Sequence, residues 1–179
     1  MQQLLERVCW DAEWTIHKFK DPDEKIAGLL RKGAKIEEAV RIAGEKFIGK
    51  EVVKDNVALN VGLQYLIDII CGIGSTTKWD NTNARLGVGS DATAADPSQT
   101  DLIDATPTWK AMDATYPQRS NQTAEWRSTF GSGDANEAWN EYAVDNGSVA
   151  HKLLNRKVEN KGTKVSGETW TLSLKITFS

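Results

Sequence analysis

The sequence predicts a mainly β fold with helices (α+β), in which an antiparallel β-sandwich or barrel-like body is packed by one amphipathic helix and preceded by a charged helical segment. Three observations lead to this prediction. The chain ends in a strictly alternating stretch, turn residues recur about every ten residues from 75 to 140, and a single aliphatic helical stripe precedes them.

The last eleven residues, 169–179, carry the clearest signal. Trp170, Leu172, Leu174, Ile176 and Phe178 alternate with small polar residues and one lysine. Side chains on a strand point alternately to opposite faces, so the pattern predicts a strand with one buried and one solvated face. We expect earlier parts of the chain to cover the buried face.

The N-terminal third divides into a strand and a charged segment. Residues 4–19 predict a short helical or irregular start followed by a strand. In residues 18–55, Asp21, Pro22 and Glu24 are typical of a helix start, and Gly33 of its end. A second helical pattern begins at Ile36.

Two interpretations of this charged segment remain open: a solvated helical pair on the same domain, or an arm that docks on a neighbouring molecule. We divide the chain into residues 1–55, the strand with its charged arm or insertion, and residues 56–179, the helix with the β body.

The next helix carries a broad aliphatic stripe. Asn56 is a good cap, and Gly72 and Gly74 end the helix. The stripe consists of Leu59, Leu63, Leu66, Ile67 and Ile70. We expect it to pack on the sheet.

Short apolar runs separated by turn residues predict the strands of the body. They lie at 84–88, 109–112, 124–130, 138–144 and 153–158. We expect the last of these to form an antiparallel hairpin with the C-terminal strand across a long connection.

Composition limits the function classes. A net charge of −3 and a pI near 5.5 argue against nucleic acid as a partner. No apolar stretch is long enough to cross a membrane, and no signal peptide is recognised, so we expect a soluble protein made in the cytoplasm. Cys9 and Cys71 are far apart, which favours two buried free thiols.

Candidate catalytic and metal-binding patterns are weak. Gly87-x-Gly89 is a fragment of a dinucleotide motif. His17 and His151 each lack a partner at useful spacing, so we expect satisfied histidines at a surface or an edge. The acidic loop with Asp91, Asp96, Asp101 and Asp104 does not match an EF-hand, and we interpret it as solvated. Asp134 and Glu137 are a chance-level carboxylate pair. We therefore predict no catalytic residue, no cofactor and no metal.

Seven tryptophans are many for 179 residues. Core or subunit-interface packing is the favoured interpretation, because an indole offers a large apolar area and one polar group. The alternative is a sugar-binding platform at Trp79 or Trp109. The candidate interface residues are Trp10, Trp14, Trp79 and Trp109.

Several short segments between about residue 55 and the end of the sequence resemble segments of small structural proteins of tailed bacteriophages, which are described as head decoration (cement) or tail proteins. The segments are Asn60-Val61-Gly62, Asn83-Ala84-Arg85-Leu86-Gly87-Val88-Gly89, Gln99-Thr100-Asp101-Leu102, Phe130-Gly131-Ser132-Gly133-Asp134-Ala135-Asn136, Leu154-Asn155-Arg156-Lys157-Val158, Gly162-Thr163-Lys164 and Trp170-Thr171-Leu172.

This resemblance implies a virion component without enzymatic activity. The leading hypothesis is a decoration protein on the surface of the phage head, with the major capsid protein and copies of itself as partners and a homotrimer as one arrangement. The second is a tail or fibre component that binds host surface glycans. A hydrolase that uses Asp134 or Glu137 ranks last.

Overall fold

The computed structural model describes residues 10–147 and 149–179 and contains ten strands and three α-helices in that part of the chain. The strands are β1 (Trp10–Lys20), β2 (Phe47–Lys54), β3 (Val57–Ala58), β4 (Arg85–Gly89), β5 (Thr108–Ala111), β6 (Gln118–Ser120), β7 (Thr123–Phe130), β8 (Glu141–Asp145), β9 (Asn155–Val158) and β10 (Glu168–Phe178). The helices are α1 (Lys25–Arg31), α2 (Ile36–Ala43) and α3 (Asn60–Cys71), with a 3-10 turn at Gly44–Lys46. The expected helical or irregular start around Leu4, Leu5 and Val8 lies outside the described residues.

The strands form two antiparallel five-stranded sheets. Sheet A has the order β2-β1-β10-β7-β6, and sheet B has the order β3-β9-β8-β4-β5. The fold is therefore mainly β with helices and sandwich-like, as the sequence predicts. None of the described helices is long and apolar enough to span a membrane.

Strand β10 lies at the centre of sheet A and pairs with β1 and β7. The predicted alternating strand is confirmed, because Trp170, Leu172, Leu174 and Ile176 are buried in the core between the sheets. Phe178, at the end of the row, is partly exposed.

Two helices cover the opposite face of β10, which we expected to be solvated. Thr169, Thr171 and Ser173 are buried there, so that expectation was wrong. Helices α1 and α2 pack on this side of sheet A through a second apolar cluster, formed by Phe19, Ile26, Leu30, Ala39 and Ala43. An alternating pattern identifies a strand but not what covers its polar face.

The charged segment lies on its own chain's sheet. β1 and β2 are two of the five strands of sheet A, so residues 10–55 share a sheet and a core with β7 and β10. Of the two interpretations left open, the structure has the helical pair on the same molecule. Helix α2 ends at its C-cap Gly44, and β2 begins three residues later at Phe47.

The predicted hairpin between β9 and β10 is wrong. β9 pairs with β8 and β3 in sheet B, whereas β10 belongs to sheet A. The connection crosses between the sheets and is held on the way by a bridge between Ala138 and Thr163. A connection of nine residues is long enough to change sheets, and the sequence pattern alone does not show that it does.

Aromatic rings fill the space between the sheets. Trp139 is fully buried and packs edge-on against Phe130 and Trp170, with ring centroids 4.8 and 4.9 Å apart. Trp14 packs against Tyr142, which joins β1 of sheet A to β8 of sheet B. These contacts tie the two sheets into one core.

Candidate interaction surface

Helix α3 carries an exposed apolar surface, which we call the α3 stripe. Its members are Leu63 (36% exposed), Ile67 (57%), Ile70 (75%) and Ile73 (56%). The first three are spaced by four and three residues, which places them on one side of the helix. Ile73 follows the left-handed Gly72 that ends the helix. The predicted stripe was expected to pack on the sheet, and that expectation was wrong for Leu63, Ile67 and Ile70, whereas its other members Leu59 and Leu66 are buried and half-buried.

The opposite side of α3 is the one that packs. A Cβ atom on Gly62 would lie 2.4 Å from the Leu153 carbonyl oxygen and 2.6 Å from the Leu154 Cα atom, so the helix lies directly on that backbone. Tyr65 and Ile69 contact the core, and the Tyr65 ring packs edge-on against Trp79, with ring centroids 5.7 Å apart. Glycine at position 62 allows this approach, which turns Leu63, Ile67 and Ile70 towards solvent.

The exposed side of α3 is also uncharged. Asp68 is the only charged residue between Asn60 and Cys71, and it is half-buried. By contrast, α2 carries Glu37, Glu38 and Arg41. Surface helices normally place charges opposite their apolar stripe, so α3 resembles a helix that is covered on both sides.

Of the four candidate interface tryptophans, two are buried within the chain. Trp14 is fully buried in the core, and Trp79 is buried with its indole N–H donating to the Lys152 carbonyl at 3.2 Å. Neither ring is available to a partner in this structure, so these two assignments are corrected. Their rings fill the sandwich rather than cover its surface.

Trp10 and Trp109 are half-buried, and their role in an interface stays a prediction. Trp10 packs edge-on against Phe178, with ring centroids 5.4 Å apart. Trp109 lies in β5, where the sequence predicts a strand, and its ring packs over Gly87 beside Arg85. It is therefore not a free sugar-binding platform.

The acidic loop between β4 and β5 is organised by hydrogen bonds. Asp91 and Asp96 accept bonds from the N–H groups of Thr93 and Ser98, and Asp104 holds the Ser90 N–H at 2.6 Å. Hydrogen bonds from the side chains of Thr93, Ser98 and Ser90, and then these backbone bonds, hold the pKa of each carboxyl below its ordinary value. Among the described residues, no group of three acidic, His or Cys side chains is arranged to hold a metal ion.

A buried ion pair attaches this loop to sheet B. Arg156 Nε donates to Glu141 Oε2 at 2.7 Å, and both side chains are fully buried. Glu141 also accepts the N–H groups of Ile103 and Asp104, while Arg156 donates to Gln99. Neither residue stands out in the sequence, because a charged residue in a short strand gives no sign of burial.

His151 is partly exposed and has partners in the structure, as expected of a satisfied surface histidine. Its Nε2 atom lies 2.9 Å from an Asp101 carboxylate oxygen, and its Nδ1 atom lies 3.4 Å from an Asp145 oxygen. Arg85 Nε donates to Asp145 at 3.2 Å, and burial raises the pKa of that carboxyl. The cluster joins the loop after β8 to the loop before β5.

His17 is buried rather than exposed on a surface or edge. It lies on the side of sheet A that α1 and α2 cover, with its ring centroid 6.3 Å from that of Phe47. Its Nδ1 atom is buried without a hydrogen-bond partner among the described residues. Burial lowers the pKa of His17 to about 4, with a further contribution from Lys50.

The carboxylates of Asp134 and Glu137 have different environments. Asp134 forms ion pairs with Arg31 at 3.1 Å and Lys110 at 3.0 Å and accepts the Gly131 N–H, so it stabilises a turn. Burial raises the pKa of Glu137. The ion pairs of Asp134 give it a structural role in holding α1 against the body.

An open concavity of about 800 Å³ lies at one end of sheet A. Its lining includes Asp11, Glu13, Lys54, Glu125 and Lys175. None of its described lining residues carries an aromatic ring. The concavity is therefore polar and mixed in charge, and it offers no ring on which a sugar could stack.

The exposure of Cys71 corrects another expectation. Cys71 is the last residue of α3, and its thiol is free and exposed rather than buried. Cys9 lies outside the described residues. Comparison of the chain with protein-family models, with curated proteins and with solved structures finds no match.

Proposed function

We propose that this chain is a structural virion protein of a tailed phage that decorates the head surface and stabilises the shell through contacts with the major capsid protein and with copies of itself. The observation that carries the proposal is the exposed, uncharged α3 stripe on a body whose other layers are tightly connected. The resemblance of residues from about 55 onwards to phage structural proteins agrees with it.

A protein that holds neighbouring subunits together needs a body that does not deform under load. Two buried ion pairs hold parts of this body together. Arg156 and Glu141 fix the β4–β5 loop to sheet B. Arg127 and Asp113, 2.7 Å apart, lie under α1, where Arg127 also donates to the Leu30 carbonyl.

Such a protein also needs more than one contact surface. Besides the α3 stripe, aliphatic side chains are exposed on α2 (Ile42) and on β2 (Ile48 and Val52). β2 is an edge strand of sheet A, so its outer backbone groups are available for pairing with another chain. Under this proposal the α2–β2 side contacts the capsid, and the α3 side contacts another copy.

Imaging of purified particles tests the proposal. We expect a high-resolution reconstruction of the phage head to contain density that fits the two sheets of this chain on the outer surface. Heads lacking the protein should bind the purified chain in co-sedimentation, and binding should raise the temperature at which they release DNA. Full occupancy in the tail with none on the head would contradict the proposal.

A matched pair of variants separates specific binding from nonspecific binding. Ile48→Glu changes the α2–β2 side, and Val165→Glu changes an equally accessible aliphatic residue in the turn before β10. Only the first should weaken head binding. Equal binding by both variants and the unchanged chain would remove the α2–β2 side from the proposal.

The second candidate is a tail or fibre component that binds host glycans, and the polar concavity is the observation that favours it. Its carboxylates and amides suit sugar hydroxyl groups. This candidate predicts binding of the isolated protein to a glycan panel and to host cells, with loss on Glu125→Ala. A null result across a broad panel would count against it.

A further inference from the structure

The α3 stripe is exposed over the length of the helix, whereas most large aliphatic side chains among the described residues are buried or half-buried. Helix α3 spans twelve residues, or about 18 Å. Its outward side presents Leu63, Ile67 and Ile70, and Ile73 extends the stripe beyond the end of the helix. Among residues 10–147 and 149–179, no segment covers these side chains. Exposure of this much apolar surface indicates an interaction site.

The size of the stripe suits the centre of a protein interface. The four exposed fractions correspond to roughly 400 Å² of apolar surface, and a standard interface buries about 800 Å² per partner. The exposed polar residues Asn60 and Gln64 lie beside the stripe on the same helix. An apolar centre with a polar rim is the usual arrangement of such interfaces.

The charge of the helix identifies the kind of partner. When symmetry brings identical helices together, each charge faces a like charge, so an uncharged surface suits self-association. The half-buried Asp68 is the only charge on α3, so like charges are not brought together. Helices that lie on a lipid surface instead carry Lys or Arg on their polar side, and α3 has neither. The stripe therefore fits another copy of this chain better than a membrane.

We propose that the α3 stripes of two or three copies of this chain pack against one another around a symmetry axis. The contact is centred on Ile67 and Ile70, the two most exposed side chains of the helix. This inference rests on the self-association part of the proposed function and specifies its surface.

Sedimentation of the full chain, in a Cys9→Ser background, tests the contact. The chain mass is 19.8 kDa, and we expect two or three times that mass at micromolar concentration. Ile67→Glu and Ile70→Glu should each raise the dissociation constant at least about tenfold, because each places a charge in the apolar centre. Ile42→Glu and Val165→Glu, at 51% and 50% exposure in the unchanged chain, are the matched controls and should leave it unchanged.

Cys71 provides a second readout at the end of the same helix. Its thiol is exposed in the single chain. We expect a maleimide reagent to label it slowly in the assembled protein and quickly when Ile67→Glu or Ile70→Glu separates the copies. Circular dichroism and thermal unfolding of each variant show whether the fold is retained, which the exposure of these positions predicts.

Three results would overturn the inference. The first is a single-chain mass at every concentration up to about 1 mM, the range in which even weak association is detected. The second is an assembly that withstands both stripe variants but dissociates with a control variant. The third is slow Cys71 labelling in a monomer, which would assign the cover of the stripe to residues 1–9 of the same chain.

The test also separates this inference from the proposed function. A chain that stays monomeric yet binds phage heads would refute the α3 contact and leave the decoration role in place. A chain that assembles through α3 but does not bind heads would refute the decoration role and leave the α3 contact in place.

Discussion

Glu141 and Arg156 lie diagonally across the neighbouring strands β8 and β9 of sheet B and form an ion pair at 2.7 Å with no solvent exposure of either side chain. The Glu141 carboxylate also accepts the backbone N–H groups of Ile103 and Asp104. One strand residue therefore positions both the arginine and the loop that covers it. Removing either partner would leave the other charged and buried.

Glu141→Ala should strongly destabilise the fold. Breaking a buried pair by removing one partner typically costs about 3–5 kcal/mol, because the remaining charge is uncompensated. We expect a loss of this size in the free energy of unfolding, measured by equilibrium denaturation in urea. The pair of Glu159, 43% exposed, and Lys157, 3.5 Å apart, is the control. Glu159→Ala should change stability by less than about 1 kcal/mol, and equal effects of the two substitutions would contradict this account.

Two glycines on helices should respond oppositely to alanine. Gly62→Ala places a Cβ atom against the Leu153 and Leu154 backbone. We therefore expect α3 to move and the free energy of unfolding to fall by about 1–3 kcal/mol. Gly28 in α1 has no atom within 4 Å of a Cβ position. Gly28→Ala should therefore stabilise by about 0.5–1 kcal/mol, because alanine favours a helix. Calorimetry of both variants gives the sign directly, and stabilisation by Gly62→Ala would show that α3 does not lie on that backbone.

Asp21 anchors the start of α1 to sheet A. Its carboxylate accepts the N–H groups of Ile26 at 3.0 Å and Ala27 at 2.8 Å, and the Thr169 hydroxyl on β10 at 2.9 Å. Asp21→Ala should cost at least about 2 kcal/mol, the upper end for a helix cap, since the freed donors are buried. Asp23→Ala, two residues away and exposed, should leave the unfolding transition unchanged. Similar losses from both would mean that the Asp21 contacts are not the cause.

The sequence predicts strands and helices better than it predicts which surfaces they cover. Alternation identified β10, and Asp21 and Gly33 identified α1, although the N-cap position is Glu24 and Asp21 reaches the first-turn N–H groups from three residues before it. Each of these signals acts within one turn or one strand. The crossing from β9 to β10 between sheets is not a local property, and it was missed.

The same reasoning explains why the candidate surface was misjudged. A helical stripe of leucine and isoleucine normally marks the buried side, yet in α3 the close approach of Gly62 decides which side faces the body. In the sequence, a single glycine among apolar residues does not show which side of the helix faces the body. The tryptophans illustrate the converse, because Trp14 and Trp79 are buried by strands distant in sequence. Composition alone does not distinguish core rings from interface rings.

His17 should make the fold sensitive to moderately acidic pH. Burial lowers its pKa from 6.5 to about 4 in the folded chain, so His17 binds a proton less readily in the folded state than in the unfolded state. The contribution is absent above about pH 6.5, and stability then falls as the pH drops from 6.5 to 4. Over that window the loss should reach about 3 kcal/mol, since one pKa unit corresponds to about 1.4 kcal/mol.

Urea denaturation at pH 7.5, 6, 5 and 4.5 measures this loss, with His17→Gln as the variant. Glutamine cannot titrate in this range, so the unfolding free energy of the variant should fall less between pH 7.5 and 4.5 than that of the unchanged chain. The carboxylates titrate in both proteins and cancel in the difference. His151→Gln is the matched control, because the same change is made outside the face that α1 and α2 cover. A pH dependence that is equal in the His17→Gln variant and the unchanged chain would show that His17 is not held neutral under the helices.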